Sequence, residues 1–547
     1  DKPRETAAIL GNILGIDPEK LLSEFETSDG FIYIKRKIST TAAEKIETQI
    51  RSGKCRGISL EPEFGRSYPE RQLASHLIGY VGTDNIGLAG LEYSYEHKLS
   101  PDVEESEEEI VYGNQLFLTI DLNVQHFADT IAEKAYREND ADSVMLLISD
   151  AQNGDILAYV SKPDFDPNSF ADYGPGSRMN RPIEFSYEPG SVFKIFSLSA
   201  IMDLGGITGD DTFYCDGAYT IEMPGEREDE LIHDLRAHGR VNAQKIIQYS
   251  CNVGMASASE TVSASEFHDK LKEFGFGTPT GIPLAGETSG ELRPVSRWSI
   301  RSKPTIAFGQ EIGVSALQVV TGATAIANEG VMLRPHVVKK ILTPNGKVEA
   351  RNAAAPLGRV IRPETAASML EYMETATYPG GTARDLYIDG LRISAKTGTG
   401  EIIDKETGKY SEDAFLASTI AIFPTDDPQF IVYAVLEYPK GDEYYGSRVA
   451  VPVVRETIEE LVPYFGIPRA GDIIVRHPGV VETRQPEELV ITDTIPDLTG
   501  LSKREILPLF EIDDVSIEIR GQGWVVSQNP SPGTSIKPGM KITVTLE

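Results

Sequence analysis

Apolar residues run together, or alternate with polar residues, in several short stretches that predict strands. In chain order these stretches are Leu116–Ile120, Ser143–Ser149, Ile156–Ser161, Leu391–Lys396, Ala414–Phe423 and Gln429–Tyr438. The second and third are joined through Asn153-Gly154, which favours a tight hairpin turn. Helices are predicted at Asn123–Glu138, at Val449–Tyr464 and in much of the segment between them. Strands first and last, with helices between, predict one antiparallel sheet covered by helices.

One predicted helix is apolar on nearly every face. The stretch from Val192 to Leu204 contains no Gly or Pro, so the helix should begin at or just after Ser191 and end at Gly205-Gly206. Such a helix belongs in the interior of a large domain. Its first turn carries Ser191 and Lys194, and burial there would lower the lysine pKa from its usual value of about 10.4. Taken alone, Ser-x-x-Lys is a common chance pattern in which the serine merely caps the helix.

The regions on either side of the predicted sheet differ from it in pattern and indicate further domains. Residues 1–113 mix helical stretches with a short predicted strand, Phe31–Lys35, and predict a small mixed α+β domain. The main α/β domain is predicted at residues 114–468. Residues 469–493, rich in Pro, Val and charged residues, predict a linker. Residues 494–547 predict a compact α+β unit, near the lower size limit for independent folding.

Composition excludes several functions. The 547 residues carry a formal charge of −31, which argues against a nucleic-acid-binding surface. Three cysteines are too few for a disulfide framework, and no Cys-x-x-Cys or His-Glu-x-x-His spacing occurs, so we expect no metal and no cofactor. No apolar run reaches the roughly 18 residues that cross a bilayer. Because the sequence starts at Asp1 rather than Met, we expect that an upstream segment has been removed.

Two further short motifs give Ser191 and Lys194 a chemical context. Ser250-Cys-Asn252 follows an amphipathic stretch, and Lys396-Thr-Gly-Thr399 lies at the end of a predicted strand. Ser-x-x-Lys, Ser-x-Asn and Lys-Thr-Gly, in this order, are the signature of the penicillin-interacting serine enzymes. The three motifs together are far more specific than any one of them.

On these motifs the sequence resembles the class B penicillin-binding proteins, the monofunctional peptidoglycan transpeptidases of bacterial division and elongation. The resemblance covers essentially the whole chain and includes Gly65–Pro69, Gly87–Glu92, Pro163–Asn168 and Thr305–Gln310. The C-terminal unit resembles a PASTA module through Ile495–Gly500, Trp524–Pro530, Pro532-Gly533 and Lys537–Gly539. The resemblance implies a penicillin-binding or serine β-lactamase-like main domain with an all-helical subdomain, on an N-terminal pedestal domain of the dimerisation type.

The resemblance also implies the roles of individual residues. Ser191 would attack the peptide bond between two D-alanines, with neutral Lys194 as its base. Ser250 would relay the proton to the departing amine, and Lys396 would supply positive charge beside it and help to lower the pKa of Lys194. The backbone N–H groups of Ser191 and Thr399 would form the oxyanion hole. Substrate would be bound by residues of the second and third motifs: Asn252, Thr397, Gly398 and Thr399.

The implied ligands are peptidoglycan stem peptides on lipid II-derived glycan strands, and β-lactam antibiotics. The implied partners are a membrane glycan polymerase and division or elongation proteins, and no nucleic acid. The resemblance places these domains on the extracytoplasmic, periplasmic face of the bacterial cytoplasmic membrane. They would be anchored there by an N-terminal transmembrane helix that this chain lacks.

Three other functions stay open. A serine β-lactamase shares the motifs but needs a residue that activates water for deacylation, and no Glu-x-x-x-Asn pattern lies between Asn252 and Lys396. A D,D-carboxypeptidase also shares the motifs, although the additional domains fit it less well. A non-catalytic muropeptide-binding scaffold is supported by the PASTA-like tail but not by the intact motifs.

A few residues outside the motifs carry expectations of their own. We expect Trp524 to lie in the core of the C-terminal unit and Cys251 to be a small buried filler. Pro508 should shorten or kink the helix of that unit. The loop from Gly441 to Gly446 follows a predicted strand and is either a gate over the cleft or a solvent loop.

Overall fold

A computed structural model describes residues 2–28, 30–63, 65–101, 112–223, 229–403, 410–441, 443–470, 489–512 and 514–547. The chain forms two compact units, residues 1–472 and 473–547. The division falls within the predicted linker, most of which lies outside the described residues. The domain boundaries at 113, 468 and 493 stay predictions.

The larger unit is built on a five-stranded antiparallel sheet. Its strands, in spatial order, are Ser394–Ile403, Tyr410–Phe423, Phe430–Glu437, Ser143–Asp150 and Ile156–Lys162. The predicted antiparallel sheet and its hairpin at Asn153-Gly154 are therefore confirmed. One strand was predicted wrongly, because it begins at Ser394 rather than Leu391 and runs on to Ile403. The third motif consequently lies inside this edge strand and not at its end.

Both faces of the sheet are buried, and alternate strand residues belong to different cores. Met145 and Leu147 pack in the core shared with the helical layer, whereas Val144 and Leu146 pack in the core under the other face. Two long helices cover that second face, Leu122–Glu138 and Gly446–Phe465.

The remaining helices of the main domain are Pro175–Arg178, Arg181–Glu184, Lys194–Asp203, Ala243–Tyr249, Asn252–Ser259, Ala264–Glu273, Ser302–Ala307, Ala316–Ala327 and Pro363–Glu374. Short 3₁₀ turns lie at Pro167–Asp172, Gly190–Phe193, Val295–Arg297, Thr375–Thr377 and Arg384–Leu386.

The predicted buried helix is confirmed as Lys194–Asp203, preceded by the 3₁₀ turn Gly190–Phe193. The layer around it is not all helical, which corrects the expected all-helical subdomain. Two small antiparallel sheets stand beside it, Phe213–Cys215 with Gly239–Val241 and Ala218–Ile221 with Glu230–His233. These strands have three or four residues each, too few for an alternating pattern to be recognised in sequence. We call the described residues from 213 to 241 the hairpin lobe.

The N-terminal region is more helical than predicted. Its helices within the described residues are Pro3–Leu14, Pro18–Thr27, Thr40–Arg51, Ser75–Ile78, Gly90–Ser94 and Glu96–Leu99. The strand predicted at Phe31–Lys35 is wrong, because Phe31 and Tyr33 are 70% and 65% exposed and the segment has no ladder partner among the described residues. These two rings pack against each other instead, with centroids 4.9 Å apart.

Smaller sheets complete the larger unit. The strand predicted at Leu116–Ile120 forms at Gln115–Leu118, but it pairs with Val338–Leu342 and not with the central sheet. Val348–Arg351 pairs with the other edge of Val338–Leu342, and Pro356–Arg359 pairs with Val331–Leu333.

None of the helices in the described parts of the chain combines the length and apolarity that a membrane-crossing segment needs.

The smaller unit has a three-stranded sheet, in which Met540–Leu546 pairs parallel with Val515–Gly521 and antiparallel with Val525–Asn529. The predicted helix is only a 3₁₀ turn, Leu507–Glu511, as the position of Pro508 led us to expect. Trp524 is 57% exposed, so its predicted core position is wrong. The backbone of Trp524 pairs with that of Glu547, and strand alternation gives the core position to the next residue, Val525.

Candidate active site

The serine of the first motif lies on a turn that glycines hold against the edge strand. Gly190 has φ +54° and donates its N–H to the carbonyl of Gly309 at 3.0 Å. A Cβ at Gly190 would lie 2.5 Å from the carbonyl oxygen of Thr399. Only glycine therefore fits where the serine turn and the third motif meet.

The amine of Lys194 joins the first two motifs. It is fully buried, and its Nζ lies 3.0 Å from Ser191 Oγ, 3.1 Å from Ser250 Oγ and 2.6 Å from Asn252 Oδ1. It also donates to the Ser250 carbonyl at 2.6 Å. One nitrogen thus contacts the candidate nucleophile and both polar side chains of the second motif.

Lys396 brings the third motif to the same point. Its Nζ donates to Ser250 Oγ at 2.9 Å and to the Thr397 carbonyl at 2.7 Å. Ser250 therefore lies between the two lysines. It has φ +58°, a left-handed conformation that ends one helix so that the next begins at Asn252. This sharp reversal points its side chain at both amines.

The two lysines differ in what lowers their pKa. Burial lowers the pKa of Lys194 to about 8, against the opposing charges of Asp234 and Cys251. Burial also lowers the pKa of Lys396 well below its usual range, and the charge of Lys194 lowers it further. Burial is thus the main cause of the low Lys194 pKa, as the sequence predicted, and the charge of Lys396, which was expected to help, is not among its causes.

The third motif presents its hydroxyls along the edge strand. Thr397 Oγ1 donates to Thr382 Oγ1 at 2.9 Å, and Thr399 Oγ1 accepts the N–H of Gly446 at 3.2 Å. The second contact ties the end of the 441–446 loop to the motif, although Asp442 lies outside the described residues. A Cβ on Gly398 would lie 2.6 Å from Ser418 Oγ and 2.9 Å from the Pro189 carbonyl. The glycine therefore lets the strand lie close to the serine turn.

The structure brings all the motif residues together. Lys194 and Lys396 are buried, whereas Ser191, Ser250 and Asn252 are partly exposed beside them. The three polar side chains are thus partly accessible, and the two amines lie buried next to them. This arrangement suits removal of a proton from Ser191 without access of bulk water to the base.

Two acidic residues at the site carried no recognisable motif. Asp234 accepts the backbone N–H groups of Asn252 at 2.7 Å and Val253 at 3.1 Å, which fixes the second motif. Glu188 accepts hydrogen bonds from the backbone N–H of Glu311 at 3.0 Å and from Tyr410 Oη at 3.1 Å. Burial raises the pKa of Glu188 to about 7. Their partners lie far away in sequence, so no local pattern could identify them.

Three protein families match successive parts of the chain. Residues 1–117 match the family described as penicillin-binding protein dimerisation domain. Residues 144–459 match the penicillin binding protein transpeptidase domain, and residues 493–547 match the PASTA domain.

Individual proteins are similar over most of the chain. Stage V sporulation protein D of Bacillus subtilis is 29% identical over 573 aligned residues, covering 100% of this chain and 85% of the relative. The probable peptidoglycan D,D-transpeptidase FtsI of Caulobacter vibrioides is 29% identical, covering 86% of this chain and 77% of the relative. Penicillin binding protein 3 of Mycobacterium tuberculosis complexed with aztreonam has a TM-score of 0.68 and 26% identity, over 74% of this chain and 91% of that one. A complex of the same protein with ampicillin is equally similar, with a TM-score of 0.68.

Proposed function

This chain belongs to the penicillin-binding protein transpeptidase family, and we propose that it is a peptidoglycan D,D-transpeptidase acting through an acyl-enzyme on Ser191. The observation that carries this proposal is the buried amine of Lys194, in hydrogen-bond contact with Ser191 and Ser250. A serine hydroxyl is a weak nucleophile and needs a base at this distance. The contact between Lys194 and Ser191 supports Lys194 as that base.

In the acylation step, neutral Lys194 takes the proton of Ser191 Oγ. The oxygen forms a bond with the carbonyl carbon of the penultimate D-alanine of a stem peptide. The oxyanion that results is held by the backbone N–H groups of Ser191 and Thr399. The Thr399 donor is supported by the position of its strand, Ser394–Ile403, at the edge of the central sheet. An edge strand has one row of backbone N–H and C=O groups that no neighbouring strand pairs with. One such donor is typically worth about 100-fold to 1000-fold in rate.

The bond to the terminal D-alanine then breaks, and its nitrogen needs a proton. Ser250 relays that proton, since its hydroxyl lies within reach of both Lys194 and Lys396. The free D-alanine leaves, and the ester on Ser191 stays. The amine of a neighbouring stem peptide then attacks the ester carbon and gives up a proton to Lys194. The bond between that carbon and Ser191 Oγ breaks, the proton returns to Ser191 Oγ, and the new amide bond completes the cross-link.

The donor peptide is held by polar groups on both sides of the serine. Asn252 offers amide hydrogen bonds to the peptide backbone. Thr397 and Thr399 hold the terminal carboxylate beside Lys396, and Gly398 lets the ligand approach the strand. β-Lactams would acylate Ser191 by the same route, in keeping with the antibiotics in the similar solved structures.

The proposal extends from the substrate to the place of action. Cross-linking of lipid II-derived glycan strands takes place on the extracytoplasmic, periplasmic face of the bacterial cytoplasmic membrane. An N-terminal transmembrane helix outside this sequence would hold the enzyme there. A membrane glycan polymerase and division or elongation proteins would supply and direct the strands.

The test is a transpeptidation assay with polymerised glycan strands whose stem peptides end in D-alanyl-D-alanine. We expect D-alanine release together with new cross-links, and neither product from Ser191→Ala. Ser257→Ala, which alters a serine on the helix behind the second motif, should keep both products. D-Alanine release without cross-links would indicate a carboxypeptidase, and no release would indicate a non-catalytic scaffold.

A further inference from the structure

Four side chains with metal-ligand atoms meet behind the second motif. Cys215 ends a strand of the hairpin lobe, Asp234 and His238 follow in the same lobe, and Cys251 lies between the two polar residues of the motif. Their ligand atoms all lie within 4.8 Å of one another. They come from three separate parts of the chain, Cys215, the loop that holds Asp234 and His238, and Cys251, so the sequence shows no compact metal-ligand motif and led us to expect no metal.

Four of the six distances between the ligand atoms are close to those of a tetrahedral site, and the other two are at most 4.8 Å. Asp234 Oδ2 lies 3.2 Å from Cys215 Sγ, 3.1 Å from Cys251 Sγ and 3.6 Å from His238 Nδ1. Cys215 Sγ lies 3.5 Å from His238 Nδ1. Zinc bonds of about 2.0 to 2.3 Å in a tetrahedron give ligand-to-ligand edges of about 3.3 to 3.8 Å. One cation at the centre would therefore reach all four atoms with small shifts of the side chains.

The surroundings of the cluster also suit a structural metal. Both cysteines are fully buried, and the Asp234 and His238 side chains are 3% and 6% exposed. The backbone N–H of Gly254 donates to Cys251 Sγ at 3.2 Å, as second-sphere amides do to thiolate ligands. The His238 ring stacks on Tyr249 with centroids 5.5 Å apart, which fixes the ring orientation. A closed set of four protein ligands indicates a structural and not a catalytic ion.

We propose that Cys215, Asp234, His238 and Cys251 bind one zinc-type divalent cation that fastens the hairpin lobe to the second motif. Sulfur and imidazole ligands select zinc over magnesium or calcium. On binding, the two thiols lose their protons to solvent, so that two thiolates, one carboxylate and a neutral imidazole surround the ion.

The cation would act on the active site through position alone. Cys251 lies directly between Ser250 and Asn252, and the second oxygen of Asp234 accepts the Asn252 N–H at 2.7 Å. The Asn252 side chain in turn donates to the carbonyl of His233 at 3.0 Å. Fixing Asp234 and Cys251 on one ion would hold the second motif at its distance from Lys194. The four ligands are thus positioning residues.

The test is the metal content of the full chain, purified without chelators, loaded with zinc and dialysed. We expect about one zinc per wild-type chain by elemental mass spectrometry, and cobalt substitution should give the strong visible absorption of tetrahedral cobalt–thiolate. Cys215→Ala and His238→Phe should lose most of the zinc. Cys55→Ala is the matched control, because Cys55 is also buried but lies in the N-terminal region, and it should keep the zinc.

A second measurement separates a ligand role from a general loss of folding. A strong chelator should lower the melting temperature of the wild type and of Cys55→Ala but not that of His238→Phe. A wild type that retains no more than about 0.1 zinc per chain would overturn the proposal. So would equal zinc in Cys215→Ala, or an intact mass two hydrogens lower that maps to a Cys215–Cys251 disulfide. These assays need no substrate, so their outcome is independent of acylation at Ser191.

Discussion

Lys194 Nζ lies 3.0 Å from Ser191 Oγ, with the lysine fully buried at the start of an apolar helix. Burial lowers the pKa of this amine to about 8. At pH 7 about a tenth of an amine with that pKa is neutral and can accept a proton, roughly 200-fold more than for an exposed lysine with a pKa of about 10.4. The contact therefore joins the proposed nucleophile to the proposed base, whose pKa is lowered mainly by burial.

The rate of acylation should follow the protonation of Lys194. Below its pKa the amine is charged and cannot take the serine proton, so the second-order rate constant for a fluorescent penicillin should rise with pH through about 8. Asp234, Cys251 and Lys396 are the charged or titratable groups around it, and Asp234 and Cys251 raise its pKa. Lys194→Gln should be slower by about 100-fold to 10,000-fold and should lose this rise. Lys303→Gln, a partly buried lysine on another helix, should keep the wild-type profile; a flat wild-type profile would contradict the assignment of the base.

Gly398→Ala should separate the edge strand from the serine turn. The new methyl group would lie 2.6 Å from Ser418 Oγ and 2.9 Å from the Pro189 carbonyl, and backbone cannot give way easily. Overpacking of this kind costs about 1 to 3 kcal/mol, so the melting temperature and the acylation rate should both fall. Gly441→Ala is the control, since a Cβ there meets nothing within 4 Å. Unchanged acylation in Gly398→Ala would show that the close approach is not needed.

Glu188→Gln should change how stability depends on pH. Burial raises the pKa of Glu188 to about 7 in the folded chain, above the value of about 4.3 for a free side chain. The folded state therefore binds this proton more tightly, and stability is lost as pH rises from about 4.3 through about 7. The glutamine variant lacks this loss, so its melting temperature relative to wild type should be higher at about pH 8 than at about pH 5. Glu44→Gln, on an exposed helix face, should show no such difference; equal shifts at both pH values for Glu188→Gln would contradict the buried proton.

The penicillin adduct should be long-lived. No Glu-x-x-x-Asn pattern lies between the second and third motifs, so the chain lacks the glutamate that activates water in class A β-lactamases. Mass spectra taken after removal of free penicillin should show the adduct persisting for many minutes. Loss of the adduct within seconds, with hydrolysed penicillin accumulating, would favour the β-lactamase alternative.

The sequence was sufficient to predict the motif residues, because Ser-x-x-Lys, Ser-x-Asn and Lys-Thr-Gly in this order can be recognised without a structure. Ser191 and Lys194 are one helical turn apart, and the antiparallel strands behind them are long enough for apolar runs to be recognised. The central sheet and the buried helix could be predicted from these apolar runs. The partners of Glu188 and Asp234 did not, because they come from segments far apart in the chain.

The wrong predictions have physical causes of their own. At Phe31 the aromatic and β-branched residues favoured a strand, but no neighbouring strand pairs with it in the described chain. At Trp524 we expected a core residue and not a ligand-binding one, but strand alternation assigned the core position to Val525. In the hairpin lobe the strands are too short for any periodicity to identify.

Ser191 is the residue that we propose becomes acylated. The most direct test of this proposal is intact-mass spectrometry of the chain after reaction with penicillin, followed by peptide mapping of the adduct. We expect one adduct per wild-type chain, located on Ser191, and none in a folded Ser191→Ala variant. An adduct on another residue, or an undiminished adduct in Ser191→Ala, would contradict it.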